Sequence, residues 1–380
     1  MPSGFAVEPM ARGRAWDSAL LASLFLLAGT GLAALWSASA GYALSLGKEP
    51  YYFALRQLVF YAPALAIFWA AAMVPLEELR DRVTLLTLLG LASLFLPLLP
   101  GFGANRNGAS RWIDLRITTL QPSEFWKPIS VFYLAHVLDK RREMVDHRTS
   151  VLVAPFLLVG LACLVIYLQN DFSTAAIAAF AAAAMFWIAC APMGFFLGIA
   201  TVGLPLGALV ILTSDFRLKR MLAFFFPAYE PHGQGYQVLG SIRAISSGGF
   251  FGKGLGLGTR KLGGIPEVQS DFVFASWAEE TGFVGVLGFF ALWVFFAWRA
   301  FRNAFAEEDG FRSYLGFGLA ALLLLEVLVN VAVASGSLPA TGIALPFFSA
   351  GGSSLWATAG AVGLIVNVSR SAGSEGGGDV

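Results

Sequence analysis

Residues 248–282 carry the transition from a polar, glycine-rich segment to a membrane helix. The segment begins Gly248-Gly249-Phe250-Phe251-Gly252-Lys253-Gly254 and ends Ser270-Asp271-Phe272-Val273-Phe274-Ala275-Ser276-Trp277-Ala278-Glu279-Glu280-Thr281-Gly282. Long apolar runs precede and follow it along the chain. Asp271 is therefore expected at the boundary between solvent and hydrocarbon, where a side chain can act on a molecule held at the membrane surface.

The composition is that of a polytopic membrane protein. Hydrophobic residues make up 57% of the 380 residues and charged residues only 13%, with a mean hydropathy of +0.71. A soluble domain carries about a quarter charged residues. The net charge of +1 gives no indication of a nucleic-acid partner. Cys163 and Cys190 fall inside apolar runs, so we expect packing residues rather than a disulfide or metal pair.

Ten apolar runs approach the roughly 20 residues that a bilayer-spanning helix needs. We predict one all-α membrane domain over residues 1–380, with spans at 18–40, 53–75, 83–100, 122–138, 150–169, 173–192, 194–213, 275–299, 313–335 and 352–369. The first run is too long for a signal peptide and is predicted to be an uncleaved helix. The tail at 371–380 is rich in Gly and Ser and is predicted to be disordered.

The distribution of Lys and Arg predicts the orientation. With the N-terminus in the cytoplasm, the cytoplasmic segments hold more of these cations than the short outer loops do. The loop at 214–274, between the seventh and eighth spans, is then extracytoplasmic, although it carries seven cations. Positive charge kept outside against the usual bias indicates an anionic ligand. Nine glycines between Gly240 and Gly264 predict a mobile loop unless a partner orders it.

Asp271 is the first candidate catalytic residue. Phe272, Phe274 and Trp277 follow it closely, and aromatic surface should partly desolvate the carboxylate, raise its pKa and make it a better base. The alternative is structural, because Ser270 or Asp271 could cap a helix that begins near Phe272.

Glu124 and Lys127 form a second candidate pair, inside the fourth predicted span. Their spacing places them on one helix face, and ionisable groups within a span are either functional or paired with each other. We predict that they interact or reach the same cavity as Asp271, with a purely structural ion pair as the alternative. Glu326 and Asn330 lie one turn apart in the ninth span, where a helix–helix hydrogen bond is the expected role of Asn330.

Arg111 lies beside Trp112 in the loop before the fourth span. The planar fork of an Arg fits phosphate oxygens, and a solvated loop at the lipid headgroups is the alternative. The pattern around Gly252-Lys253-Gly254 is not a Walker A motif. That motif needs a Gly five residues before Gly252 and a Ser or Thr directly after Lys253, and neither is present.

Together these motifs resemble the SEDS family (shape, elongation, division and sporulation), to which RodA and FtsW belong. The resemblance covers nearly the whole chain and rests on several motifs in the family's order: Arg111-Trp112-Ile113, Gln121-Pro122-Ser123-Glu124, Gly235-Tyr236-Gln237, Ser247-Gly248-Gly249-Phe250-Phe251-Gly252, Pro266-Glu267, Asp271-Phe272-Val273-Phe274-Ala275, Glu279-Glu280-Thr281-Gly282, Leu338-Pro339 and Gly351-Gly352-Ser353-Ser354.

The resemblance implies ten membrane helices in the bacterial inner (plasma) membrane, with both termini cytoplasmic. It implies polymerisation of lipid II into glycan strands, beside a class B penicillin-binding protein that crosslinks them. The family's essential Asp maps onto Asp271. Departures from the family pattern are Gln269 for His, Asn170 for Pro, Ala350 for Tyr and Glu326 for Gln. The motifs Asn107-Gly108-Ala109 and Gly235-Tyr236-Gln237, and the short spacing from Gly256 to Pro266, are more similar to FtsW than to RodA.

The implied chemistry assigns Asp271 as general base for the acceptor hydroxyl, without the second carboxylate that most glycosidases use. Pyrophosphate is a good leaving group that needs cations. Candidate residues for binding lipid II and its pyrophosphate are Lys127, Arg111, Arg243, Glu124 and Ser353. A divalent cation (Mg²⁺ or Mn²⁺) could share this task, although the sequence has no dedicated metal site. A lipid II flippase, which is a transporter, and a non-catalytic membrane scaffold are the alternatives.

Overall fold

The computed structural model describes residues 16–106, 109–116, 118–145, 150–226, 234–259 and 267–372. Fourteen helices are described: α1 Ser18–Ser45, α2 Tyr52–Met73, α3 Leu76–Asp81, α4 Val83–Ser93, α5 Pro122–Lys140, α6 Arg142–Val145, α7 Ser150–Leu168, α8 Phe172–Ile188, α9 Met193–Leu212, α10 Asp215–Phe225, α11 Gln234–Ser247, α12 Val273–Phe305, α13 Gly310–Ala334 and α14 Gly352–Ala372. A 3₁₀ turn at Leu96–Leu98 follows α4.

Every predicted span contains one helix of the bundle, which confirms the predicted all-α membrane fold. Within the described residues, α1, α2, α7, α9, α12 and α13 are long and apolar enough to cross a bilayer by themselves. The other four spans correspond to α4 with its 3₁₀ turn, α5, α8 and α14. Helix α5 is less apolar than these six because it carries Glu124, Lys127, Asp139 and Lys140, and it packs against α4, α8, α13 and α14.

Small residues allow these helices to approach one another closely, as is common in membrane bundles. A Cβ atom at Gly31 of α1 would lie 2.5 Å from the carbonyl oxygen of Phe347, and one at Gly363 of α14 would lie 2.5 Å from that of Phe68. Large side chains such as Trp126 and Phe296 fill the interior and are fully buried. Helix α9 has no buried residue, so its surface faces the lipid almost all round.

The loop before α5 folds into a small antiparallel sheet that the sequence analysis did not predict. Strands β1 Gly103–Arg106, β2 Ala109–Asp114 and β3 Thr119–Leu120 lie in the order β1-β2-β3, with Ile113 paired to Gly103 and to Leu120. The sheet places Arg111, in β2, at the same end of the bundle as the beginning of α5. The segment at 214–274 likewise contains helices α10 and α11.

Helix α14 ends at Ala372. The disordered tail predicted for residues 371–380 stays a prediction. Residues 373–380 lie outside the described residues, as do Asn107, Gly108 and Pro266 of the subfamily comparison.

Candidate active site

Asp271 lies in the turn that immediately precedes α12. The N-cap position of that helix is Phe272, and no described side chain caps it, so the carboxylate of Asp271 is not used as a helix cap. Asp271 is half-buried. Burial raises the pKa of Asp271 to about 6, and the negative charge of Glu267 adds to the rise, whereas Arg111, Ser270 and Arg220 act in the opposite direction. A carboxylate with this pKa is largely ionised at neutral pH and remains an effective base.

The backbone around Asp271 is fixed by helix α13 and by the loop before α14. The side-chain amide of Asn330 donates hydrogen bonds to the carbonyl oxygens of Asp271, at 3.1 Å, and Ile343, at 2.8 Å. The hydroxyl of Ser349 donates to the carbonyl oxygen of Ser270. Asn330 is a buried hydrogen-bond donor, but it links α13 to a turn and a loop and not to another helix as predicted, and its bonds set the position of the candidate base.

Gln269, which stands where the family usually has His, also helps to fix the backbone around Asp271. Its backbone oxygen accepts a hydrogen bond from Ala350 N at 2.8 Å. The side chain is 7% exposed, and its Oε1 atom is buried without a hydrogen-bond partner in the described part of the chain. The backbone of this turn is thus held independently of the residue type at position 269, and a buried acceptor is left for a donor.

Arg111 is held beside the site by a buried acid. Its Nη1 atom lies 3.3 Å from Oδ1 of Asp171, and its guanidinium lies 4.3 Å from the centre of the Trp112 ring. Gln121 donates a hydrogen bond to the other oxygen of Asp171 at 2.8 Å, and Asp171 also accepts one from Thr174 N in the first turn of α8. Asp171 therefore positions Arg111.

Arg220, on α10, is a second cation of the site. Burial lowers the pKa of Arg220, whereas the negative charges of Asp271 and Asp171 raise it. This mutual influence places Arg220 within electrostatic reach of both acids. The neighbouring Arg217 donates to the hydroxyl of Tyr167 at 3.1 Å and stacks on its ring, which fixes α10 against α7. The sequence signal for Arg220 was the positive cluster in an outer loop, but that signal did not identify which cation faces Asp271.

Arg243, a candidate pyrophosphate ligand, is exposed to solvent. It lies on α11 with an exposed side chain, and no contact in the described part of the chain joins it to Asp271. Since α11 presents its apolar face to α12, the polar Arg243 is turned away from the bundle.

Lys127 forms the predicted pair with Glu124, and Glu326 joins it from α13. The Nζ atom of Lys127 lies 3.0 Å from Oε2 of Glu124 and 2.5 Å from Oε1 of Glu326. All three side chains are buried. The predicted interaction is confirmed, and the family departure Glu326 supplies a second carboxylate. One ammonium group cannot neutralise two carboxylates, so the cluster attracts a further cation or a proton.

Ser353 connects two elements at the beginning of α14. Its hydroxyl accepts a hydrogen bond from Gln121 N at 3.0 Å and donates one to the carbonyl oxygen of Thr119 at 3.2 Å. The structure therefore uses this candidate substrate ligand to tie α14 to the start of α5, with both its donor and an acceptor position occupied.

The protein groups available to a divalent cation are few. Within the described residues no group of three or more His, Cys, Asp and Glu side chains could hold a metal ion. The acid whose charge raises the pKa of the candidate base is Glu267. Mg²⁺ commonly binds through one or two carboxylates together with substrate phosphates, and Asp271 with Glu267 fits only that incomplete arrangement.

Comparison with known proteins places this geometry in a family. Residues 18–374 match the cell cycle protein family of FtsW, RodA and SpoVE. The chain belongs to this family. A probable peptidoglycan glycosyltransferase FtsW of Trichlorobacter lovleyi is 36% identical over 355 residues, covering 93% of each chain. Stage V sporulation protein E of Bacillus subtilis is 33% identical over 354 residues, covering 93% of this chain and 97% of that protein.

Solved structures agree with the sequence relatives. A chain from a peptidoglycan synthase complex that coordinates polymerization and crosslinking has a TM-score of 0.75 and 29% identity, covering 94% of this chain and 98% of that one. The rod shape determining protein RodA of Thermus thermophilus has a TM-score of 0.70 and 27% identity, covering 94% and 97%. The resemblance drawn from the motifs is confirmed.

Proposed function

We propose that this chain is a peptidoglycan glycosyltransferase of the bacterial plasma membrane that polymerises lipid II into glycan strands, with Asp271 as its general base. The observation that carries the proposal is a half-buried carboxylate of raised pKa with Arg111 and Arg220 within electrostatic reach, at one end of a membrane bundle. The names of the family relatives support the reaction class.

In this mechanism the acceptor hydroxyl of one lipid II attacks the anomeric carbon of the other substrate. The new bond forms between that oxygen and the anomeric carbon, the bond to the pyrophosphate oxygen breaks, and Asp271 takes the hydroxyl proton. With a pKa of about 6, Asp271 is ionised in about 90% of molecules at pH 7. Arg111 and Arg220 stabilise the charge that develops on the departing pyrophosphate.

The orientation is part of the proposal. Asp271, Arg111 and Arg220 lie on the extracytoplasmic side, because the short loops on the opposite side hold more Lys and Arg, and both termini are cytoplasmic. A class B penicillin-binding protein is the proposed partner. The likeness to a chain of a synthase complex that couples polymerization with crosslinking supports this assignment.

The decisive experiment is polymerisation of labelled lipid II by the purified full-length protein, alone and with its partner. Asp271→Asn keeps the size of the side chain and removes the base, so we expect the rate to fall about 10²–10⁴-fold. Asp215→Asn, an exposed acid on α10, is the matched control and should retain wild-type activity. Polymerisation by Asp271→Asn within a few-fold of wild type would remove Asp271 from the mechanism.

A flippase is the second candidate, and the buried cluster of Lys127, Glu124 and Glu326 is the observation that favours it. Polar groups inside a bundle are what a headgroup path through the membrane needs. Transfer of labelled lipid II across proteoliposomes by Asp271→Asn, without glycan formation by the wild type, would favour the transporter.

A further inference from the structure

The glycine-rich segment 248–258 completes a broken helix. Gly282 of α12 has φ 64° and ψ −163°, so the helical hydrogen bonding is interrupted there. In an unbroken helix the carbonyl of residue 279 would bond the amide of residue 283, and the carbonyl of residue 280 would bond that of residue 284. Residues of the segment replace the missing partners. Amides of the segment donate to the two free carbonyls of α12, Lys253 N to Glu279 O at 3.1 Å and Gly254 N to Glu280 O at 2.9 Å. Carbonyls of the segment accept from the two free amides of α12, Gly249 O from Phe283 N at 2.9 Å and Phe250 O from Val284 N at 3.2 Å.

The polar side chains of this region point inward as well. Glu279, fully buried, accepts hydrogen bonds from Lys253 Nζ at 2.6 Å and from Thr259 N at 3.1 Å, and Glu280 accepts one from Gly256 N at 3.0 Å. The glycines permit the close approach, since a Cβ atom at Gly252 would lie 2.1 Å from Glu280 O. Residues 248–259 are therefore held against α12 by contacts within the chain, whereas the sequence predicted a mobile loop unless a partner held it.

Residues 248–258 lie deeper in the bundle than the C-terminal end of α1. Both carboxylate oxygens of Glu280 accept from the hydroxyl of Ser37 in α1, at 2.6 and 2.7 Å. At 1.5 Å per residue, Ser37 lies about 12 Å along α1 from its end at Ser45. The contact thus fixes the segment at a depth where α1 is already within the bilayer.

The outer surface of the segment is apolar. Four large side chains are well exposed: Phe250 60%, Phe251 79%, Leu255 67% and Leu257 67%. The Phe250 ring stacks on Phe283 at 5.6 Å, and Phe283 begins the exposed apolar face of the membrane-spanning part of α12. The tip therefore continues a lipid-facing surface without interruption.

We propose that residues 248–258 form a re-entrant loop whose apolar tip lies among the acyl chains of the leaflet nearer to Asp271. Irregular backbone within a bilayer requires that the protein itself satisfies the polar groups. Here α12 pairs with the backbone of Gly249, Phe250, Lys253, Gly254 and Gly256. Phe and Leu side chains gain free energy when they leave water. Lipid is the occupant that the depth and the continuity with α12 favour.

The test places an environment-sensitive NBD fluorophore on the tip. In the full chain with Cys163 and Cys190 replaced by Ser, Phe251→Cys is labelled and reconstituted in phosphatidylglycerol–phosphatidylethanolamine vesicles. Leu204→Cys on α9, 73% exposed, is the lipid-facing control, and Ser246→Cys, exposed on α11, is the water-facing control. Leu255→Cys repeats the measurement at a second tip position.

We expect both tip positions to show blue-shifted emission, quenching by nitroxide-labelled lipid and protection from aqueous iodide, as at position 204. Emission and iodide quenching equal to those at position 246 would overturn the proposal. Blue-shifted emission that responds to neither quencher would also overturn it, because a protein surface would then cover the tip. None of these outcomes depends on the glycosyltransferase assay.

Discussion

The acidic limb of the pH–rate profile should belong to Asp271, and two neighbouring charges should move it in opposite directions. The pKa of Asp271 is raised to about 6, chiefly by burial, with Glu267 raising it further and Arg220 lowering it. A base works when ionised, and the ionised fraction falls from about 90% at pH 7 to about 10% at pH 5. Polymerisation should therefore slow about tenfold over this interval.

Substitution of the neighbours distinguishes Asp271 from the titrating groups of the substrate. Glu267→Gln removes a negative charge, lowers the pKa of Asp271 and shifts the acidic limb to lower pH. Arg220→Gln removes a positive charge, raises that pKa and shifts the limb to higher pH, whatever it does to the maximal rate. Glu308→Gln, an exposed acid beyond the far end of α12, is the control and should leave the limb unchanged.

The assay is the initial rate of lipid II polymerisation from pH 4.5 to 8, with each variant normalised to its own maximum. The substrate's ionisation is common to all variants, so only differences between the profiles are interpreted. A limb that stays at the same pH in both Glu267→Gln and Arg220→Gln would refute the assignment of the titrating base to Asp271.

The other predictions concern groups that support the site. Lys127→Met leaves two buried carboxylates without their cation and should cost about 3–5 kcal/mol of stability. The melting midpoint in detergent should therefore drop strongly, whereas that of Glu326→Gln should stay within a few degrees of wild type. Equal midpoints for the two variants would contradict the cluster's role. Arg220→Gln should slow polymerisation about 10²-fold, and the exposed Lys219→Gln should not; equal rates in the two would remove Arg220 from the site. Asn330→Ala loses two hydrogen bonds worth about 1 kcal/mol each and should lower kcat more than it raises KM; an unchanged kcat would show that Asp271 is positioned without Asn330.

The membrane helices could be predicted because apolarity is a local property of the sequence. A run of about 20 apolar residues must form a helix in a bilayer, where no water satisfies the backbone. The same reasoning predicted the contact between Glu124 and Lys127, since it depends only on positions three residues apart on one helix. Asp271 was likewise proposed as a candidate from local features, namely its aromatic neighbours and its place at the start of a span.

Partners from distant parts of the chain could not be predicted in this way. Glu326 contacts Lys127 only because α13 packs against α5. Arg220 interacts electrostatically with Asp271 only because of where α10 lies in the fold. The surroundings of Arg243 and Ser353 also come from the fold: Arg243 is exposed on α11, and Ser353 joins α14 to the start of α5. The sheet β1-β2-β3 was missed because its strands are short and pair only with one another.

The glycines of residues 248–258 show how one composition supports two opposite expectations. Glycine gives the backbone freedom, which suggested mobility. The same lack of a side chain lets Gly252 lie against the backbone of α12, where any Cβ atom would clash with Glu280 O. The acids that decide between these outcomes follow the glycines by more than twenty residues, so no local pattern reports them.

Helix α13 connects the buried ion cluster to the candidate base. Glu326 holds Lys127 on one side, and Asn330, one turn further along α13, donates to the backbone oxygen of Asp271. Because an α-helix is stiff over a single turn, a displacement at Lys127 that moves Glu326 also moves Asn330 and the turn that carries Asp271. We therefore expect Lys127 to influence the position of Asp271 by fixing the helix from which Asp271 is held.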